Sequence, residues 1–197
     1  MKKLASTLPN MVISLGLICV LSGTLLGGIY MVTKDPIEQQ MKAQQQLAIR
    51  QVAPPFDNDP EKDKVEVEEN GLTFTVYPAF SGGKLVGAAV EGSSMNGFAG
   101  QVTVIYGFDL DGTVRDYRVI QQAETPGLGT KMETWFRDPT GARSVIGKNP
   151  ESFSFYVTKD PGGRVDGITA ATISSRAFLE VLRNAFDAYK IYREQQQ

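Results

Sequence analysis

An α+β fold is predicted: an antiparallel sheet packed by a C-terminal amphipathic helix, with one N-terminal transmembrane helix ahead of it. Three observations predict it. Residues 11–32 form a run without a single charge. From Leu72 onward, β-branched and aromatic segments follow one another, each bounded by Gly, Pro or Asp. After Gly167 the apolar residues recur at spacings of three and four. Strands in succession closed by a packing helix make an α+β domain.

The first element is the run MVISLGLICVLSGTLLGGIYMV. At about 1.5 Å per residue a helix of this length crosses the roughly 30 Å hydrocarbon layer of a membrane. Gly16, Gly23, Gly27 and Gly28 suit close contact between membrane helices. The apolar region is long for a cleaved signal peptide, and no convincing small-x-small cleavage site precedes Lys34, so an uncleaved anchor is expected. Lys2 and Lys3 precede the span with no acid beside them, whereas Lys34 is followed by Asp35 and Glu38. The positive-inside bias then places residues 1–10 in the cytoplasm and everything after Val32 outside.

Residues 33–71 read as a stalk and linker. Asp35 can cap a new helix with Pro36 at its first position, and Ile37, Met41, Gln44 and Ala48 share a weakly apolar face. That helix should stop before Pro54-Pro55. The acidic stretch FDNDPEKDKVEVEENG then leads into a globular domain over residues 72–190, expected to be self-contained. Its strands are LTFTVYPAF, KLVGAAVEG, GQVTVIYGFD and TVRDYRVIQQ, with hairpin turns at Gly82-Gly83 and Asp111-Gly112. A short helix is predicted from Met132 to Phe136, and SFSFYVTKD reads as a further strand. The terminal helix carries Ile173, Ala177, Phe178, Val181, Leu182, Ala185, Phe186 and Tyr189 on one stripe. Residues 191–197 are a polar tail expected to fray.

Composition narrows the chemistry. The 197 residues include no histidine and one cysteine, Cys19, which lies inside the apolar run. Thiolate and imidazole metal sites, iron–sulfur ligation and Ser-His or Cys-His nucleophile pairs therefore have no ligands to build on. Carboxylate-only metal sites need oxygen alone, but no dense Asp/Glu cluster is present, so no metal site is assigned. A formal net charge of -2 with dispersed basic residues argues against nucleic acid. Redox chemistry here would require an organic cofactor.

Three stretches could carry a site. In Asp166-Gly167-Ile168-Thr169-Ala170-Ala171-Thr172, a helix starting near Thr169 would put Ala170 and Ala171 on the apolar stripe. Thr172 would then face outward in the first turn, where an anion is favoured; a plain cap by Thr169 is the simpler alternative. Glu124-Thr125-Pro126-Gly127-Leu128-Gly129 fits a type II turn at Pro126-Gly127 and could admit a flat ligand, or could merely connect strand to helix. Asn96-Gly97-Phe98-Ala99-Gly100 reads as a hairpin turn or a close backbone approach. Trp135, the sole tryptophan, is more often core than platform.

Taken in this order behind one span, these stretches resemble the FMN-binding subunits of the Rnf and Na⁺-translocating NADH:quinone oxidoreductase complexes, most closely the G subunit of the Rnf type. ETPGLG at 124–129 with Trp135 after it, GFAGQVTVIYGFD at 97–109 and DGITAATISS from Asp166 carry the likeness. The last is similar to the family's flavinylation motif, with Ala170 standing where the family usually has Gly. The resemblance implies FMN esterified through its phosphate to Thr172 by a dedicated flavin transferase. It also implies cofactor-site roles for Thr169, Ala170, Ala171, Glu124, Thr125, Gly127 and Leu128, and transferase recognition by Asp166 and Gly167. The implied protein relays electrons between ferredoxin and NAD⁺ on partner subunits of a bacterial inner-membrane complex that moves Na⁺ or H⁺. It would not be catalytic alone, since no nucleotide fingerprint or cluster ligands are visible, and no catalytic residue is named. Alternatives are a covalent-FMN subunit of an NADH:quinone oxidoreductase or other respiratory chain, and an anchored non-redox assembly module.

Overall fold

A computed structural model describes residues 7–196; Lys2 and Lys3, on which the orientation reading rests, lie outside them. The chain divides into two compact units, Met1–Ala43 and Gln44–Gln197. One helix, α1 (Leu8–Val52), contributes to both.

In the first unit every large apolar side chain from Met11 to Val32 is exposed. α1 is, among the described residues, the one helix long and apolar enough to cross a membrane. No new helix starts at Asp35, because α1 runs through Pro36. Proline there removes only one N–H donor. Just upstream the Thr33 hydroxyl donates to the carbonyl of Ile29 at 2.9 Å. As predicted, the helix stops before Pro54.

In the second unit five strands form an antiparallel meander in the order β1-β2-β3-β4-β5: β1 (Val65–Glu69), β2 (Leu72–Ser81), β3 (Lys84–Gly97), β4 (Gly100–Asp109) and β5 (Val114–Gln121). β1 lies inside the segment expected to be linker. Asn70 and Gly71, both at positive φ, join it to β2 in a two-residue turn that pairs Glu69 with Leu72. Such a pair is a strong hairpin signal.

Alternation along the strands serves two different cores. Val102, Val104, Tyr106 and Phe108 of β4 join Ala88 and Val90 of β3 against the C-terminal helix α3 (Thr172–Gln195). On the opposite face Ala89 and Ile105 pack with Tyr77, Ala79 and the end of α1, Ala48, Ile49 and Val52, together with Ala53. The sheet is therefore covered on both faces within Gln44–Gln197, and the compact unit begins well before Leu72. Polar ties reinforce this: Arg118 Nε donates to Gln51 Oε1 at 2.7 Å, and Gln45 bonds Glu91 and Tyr77.

α3 carries the predicted stripe, with Ala177, Phe178, Val181, Leu182, Ala185, Phe186 and Tyr189 buried. Ile173 is not part of it and stands 48% exposed. α3 extends into the polar tail as far as Gln195. Aromatic packing locks the helix to the sheet: Phe178 stacks on Phe136 with centroids 4.3 Å apart, and Tyr106 donates to the Phe178 carbonyl at 2.7 Å. The predicted Met132–Phe136 helix is a 3₁₀ turn (Gly129–Lys131) running into α2 (Met132–Trp135).

SFSFYVTKD is not a strand. Its backbone folds back in turns, with Arg164 and Val165 N–H both donating to Tyr156 O at 3.0 Å, and only one bridge, Val157 to Val165, forms. The start of β5, which such a strand could have joined, is occupied by Gly147 and Lys148. The resulting loop brings residues 156–166 alongside the start of α3.

Candidate functional site

The three stretches singled out in the sequence meet at one buried carboxylate. Glu124 is 4% exposed. Its Oε2 accepts a 2.7 Å hydrogen bond from Ser174 Oγ in the first turn of α3, and its Oε1 accepts from the Ala99 amide at 3.4 Å. Glycines make room for it. A Cβ on Gly129 would lie 2.5 Å from Oε2, and one on Gly97 would lie 2.7 Å from Oε1. Glu124 thus ties the β3–β4 hairpin, the loop after β5 and the start of α3 into one unit. The loop itself is the predicted turn: Leu128 N–H donates to Thr125 O, and Gly127 sits at φ +75°.

The start of α3 differs from the expectation. The helix begins at Thr172, not near Thr169; Ala171 is the N-cap residue and supplies no side-chain cap. Thr169 is exposed and does not cap. Ala171 is buried, but Ala170 is exposed at φ +63° and belongs to no apolar stripe. L-residues with a Cβ pay roughly 1–2 kcal/mol for that conformation, which glycine avoids. Glycine at this place would be free of that cost. The turn is held by Ser175, whose Oγ accepts from Ile168 N–H at 2.8 Å and donates to Ala171 O at 2.9 Å.

Thr172 is half-buried and stands between two depressions that its side chain helps line. The first, about 320 Å³, is bounded by Phe98, Glu124, Thr125, Leu128, Ala170 and Ile173. It is largely apolar, and Phe98 at its mouth is 67% exposed. The second, about 370 Å³, is bounded by Trp135, Arg143, Lys159, Asp166 and Thr169. Here Lys159 Nζ donates to Thr172 Oγ1 at 3.1 Å. Nothing in the sequence singled out Lys159, a lone lysine in a stretch read as a strand. Its neighbour Asp160 makes a bidentate ion pair with Arg176 of α3, at 2.5 to 3.1 Å, which joins the loop to the helix at the surface. That hydrogen-bonded guanidinium holds the Asp160 carboxyl below its ordinary range.

Asp166 and Gly167 form the floor of the polar depression. The Asp166 carboxylate accepts from Ala142 N–H at 3.0 Å, and its carbonyl accepts from Trp135 Nε1 at 2.8 Å. Arg143 lies over the Trp135 ring at 4.1 Å and pairs with Asp138. Trp135 is therefore a half-buried wall linking α2 to the 166–172 segment. The site gathers a reachable hydroxyl at a helix start, a cation upon it and an apolar cleft beside it. Those features suit an anionic group carrying a flat apolar body. No group of three or more Cys, Asp or Glu able to hold a metal occurs among the described residues.

Comparisons with known proteins agree on one family. Residues 97–187 match the FMN-binding domain, and residues 1–52 match the RnfG N-terminal region. Curated relatives are named as the G subunit of an ion-translocating oxidoreductase complex. The protein of Aliivibrio fischeri strain MJ11 is 32% identical over 96% of this chain and 94% of its own length. That of Salmonella typhimurium strain LT2 is 32% identical over 88% of this chain and 86% of its own. The Haemophilus influenzae PittEE protein is 33% identical over 84% and 82% respectively.

Proposed function

The chain belongs to the family of G subunits of ion-translocating oxidoreductase complexes, and from that premise we propose that it is the membrane-anchored flavoprotein of such a complex, with FMN esterified to Thr172. The observation that carries this is the Thr172 hydroxyl, half-buried yet reachable at the first position of α3, with Lys159 Nζ 3.1 Å away. A phosphodiester formed on that oxygen would sit against the ammonium group and the positive end of a 24-residue helix.

Bound FMN supplies the capacity to take up and release electrons. The chain's own residues then hold and orient it. Thr172 is an attachment point, with Ala170 and Ala171 setting its position. Thr125, Gly127 and Leu128 offer the loop along the cleft, and Glu124 acts by holding that loop to α3. Asp166 and Gly167 are proposed as the part recognised by the flavin transferase. A covalent tether keeps the cofactor at high effective concentration in a compartment where a free flavin would be lost.

In this reading α1 crosses the bacterial inner membrane once with residues 1–10 in the cytoplasm, and the flavin domain lies on the outer side. Electrons pass between ferredoxin and NAD⁺ on partner subunits through this flavin, coupled to Na⁺ or H⁺ transport. Intact-mass measurement and peptide mapping of chain made together with its transferase test the reading. An FMN phosphoryl adduct on the peptide holding Thr172, absent from Thr172→Ala, is the expected result. A bare Thr172 in native membranes overturns it.

A further inference from the structure

The two outer strands of the sheet differ in how their free edges are used. At β5 the outer row is occupied: the N–H of Val114 donates to Lys148 O at 3.0 Å, its carbonyl accepts from Gly147 at 2.8 Å, and the Arg137 guanidinium donates to the Tyr117 carbonyl. At β1 no group among the described residues bonds to the outer row. We propose that β1 receives an extended basic segment of another polypeptide as an added strand, one in which Lys or Arg alternates with apolar residues. This edge has no part in the site around Thr172.

The Asn70-Gly71 turn sets which backbone groups point outward. Glu69 and Leu72 close this two-residue turn and exchange both of their backbone bonds; alternation then turns Val67 and Val65 toward β2 as well. The N–H and C=O of Glu66 and Glu68 are left facing away from the sheet, and both residues are exposed. An unpaired row of this kind is a template for another strand. In strand addition the main chain supplies affinity, and alternate side chains supply specificity.

Charge selects the partner. Residues opposite one another on adjacent strands share a face. An added strand therefore meets Glu66 and Glu68 on one face and Val65, 36% exposed, on the other. Among the described residues Glu66, Glu68 and Glu69 enter no ion pair, because the lysines just before them are already engaged. Lys62 pairs with Asp59 at 3.1 Å and Lys64 with Glu61 at 2.6 Å. Asp187 of α3 adds to the acidic edge: burial, and then the Glu69 carboxylate, hold its carboxyl above the ordinary range. Opposite charges directly across a strand pair stabilise it, and like charges destabilise it. A second copy of β1 is thereby rejected, since its own glutamates would stand against these. The Val-Glu alternation guards the edge against self-pairing and leaves it open to a basic strand.

The full chain purified in detergent tests this, with the N-acetylated, C-amidated peptide Lys-Val-Lys-Val-Lys as the probe. Calorimetry reads binding, and hydrogen exchange reads the backbone amide by amide. Binding is expected, with exchange at the Glu66 and Glu68 amides slowed by about tenfold or more. Methylating every backbone nitrogen of the peptide keeps its charge and removes its donors, and should weaken binding by about tenfold or more. The double change Glu66→Gln with Glu68→Gln, at two exposed side chains, should weaken binding of the parent peptide by a similar factor. The peptide Glu-Val-Glu-Val-Glu should not bind. Equal binding of the methylated peptide, or binding without slowed exchange at Glu66 and Glu68, overturns the added strand. Equal binding by the double variant, or by the glutamate peptide, overturns the choice of a basic partner. A parent peptide that does not bind overturns both. Thr172→Ala should bind the probe as the wild type does, so this test and that of the flavin attachment fail separately.

Discussion

Ser174 Oγ donates a 2.7 Å hydrogen bond to Glu124 Oε2, joining two residues 50 positions apart, both buried. The bond holds the start of α3 against the 124–129 loop, and both residues line the cleft beside Thr172.

Removing one partner should therefore cost more than the bond's net contribution. Ser174→Ala leaves a buried carboxylate oxygen without its donor and should destabilise the second unit by about 1–3 kcal/mol. Because the residues are in contact, a double-mutant cycle of Ser174→Ala with Glu124→Gln should show coupling of about 0.5 kcal/mol or more. Denaturant titration of the four proteins measures this. Strict additivity would show that the pair does not act as a unit.

Ala170 offers a change in the opposite direction. Its φ of +63° is strained for alanine, and relief on Ala170→Gly should exceed the added freedom of the unfolded chain. The variant should be more stable by roughly 0.5–1 kcal/mol. A thermal melt that moves down instead of up would contradict strain at this position.

The end of α1 belongs to the flavin-domain fold. A Cβ on Gly107 would collide with the Val52 carbonyl oxygen, so Gly107→Ala forces the helix end off the sheet at about 1–3 kcal/mol. A chain starting at Leu72 loses β1 and the 44–53 cover over Tyr77, Ala79, Ala89 and Ile105. It should melt without cooperativity and bind hydrophobic dyes, while one starting at Gln44 folds. Equal melting of the two truncated chains would contradict the expectation, and would favour the sequence-based view of residues 72–190 as self-contained.

Alkaline stability follows from the buried phenols. Burial raises Tyr77, Tyr106, Tyr117 and Tyr189 above the ordinary tyrosine value, Tyr189 to about 12. Each holds its proton more tightly folded than unfolded, so its contribution is full below about pH 10 and is lost as pH rises through the folded values. Tyrosinate absorbance from these four buried phenols should thus appear together with unfolding above about pH 10. Titration of these four near the ordinary tyrosine value, with the fold intact, would be inconsistent with this burial.

Much of the fold was legible in the chain alone. The apolar N-terminal helix, four strands with their Gly82-Gly83 and Asp111-Gly112 turns, and the α3 stripe were read from period and turn chemistry. The missed strand β1 had a usable signal, Asn70-Gly71, masked by its acidic Val-Glu alternation. SFSFYVTKD shows the reverse case. It has strand composition, but Gly147 and Lys148 occupy the neighbouring end of β5, so its backbone groups pair within turns instead.

The sequence by itself determined the elements, because a helix stripe, a strand alternation or a two-residue turn depends on neighbours a few positions apart. It also displayed Thr172 near the start of the last helix and the loop at 124–129. Only tertiary structure decided that Ala99, Glu124 and Ser174 share one bond network, that Lys159 meets Thr172, and that Ile173 faces a cleft rather than the sheet. Those outcomes depend on how distant segments close upon one another, and a side chain's partner across 13 to 50 positions is set by packing of the whole sheet and helix, which no local pattern records.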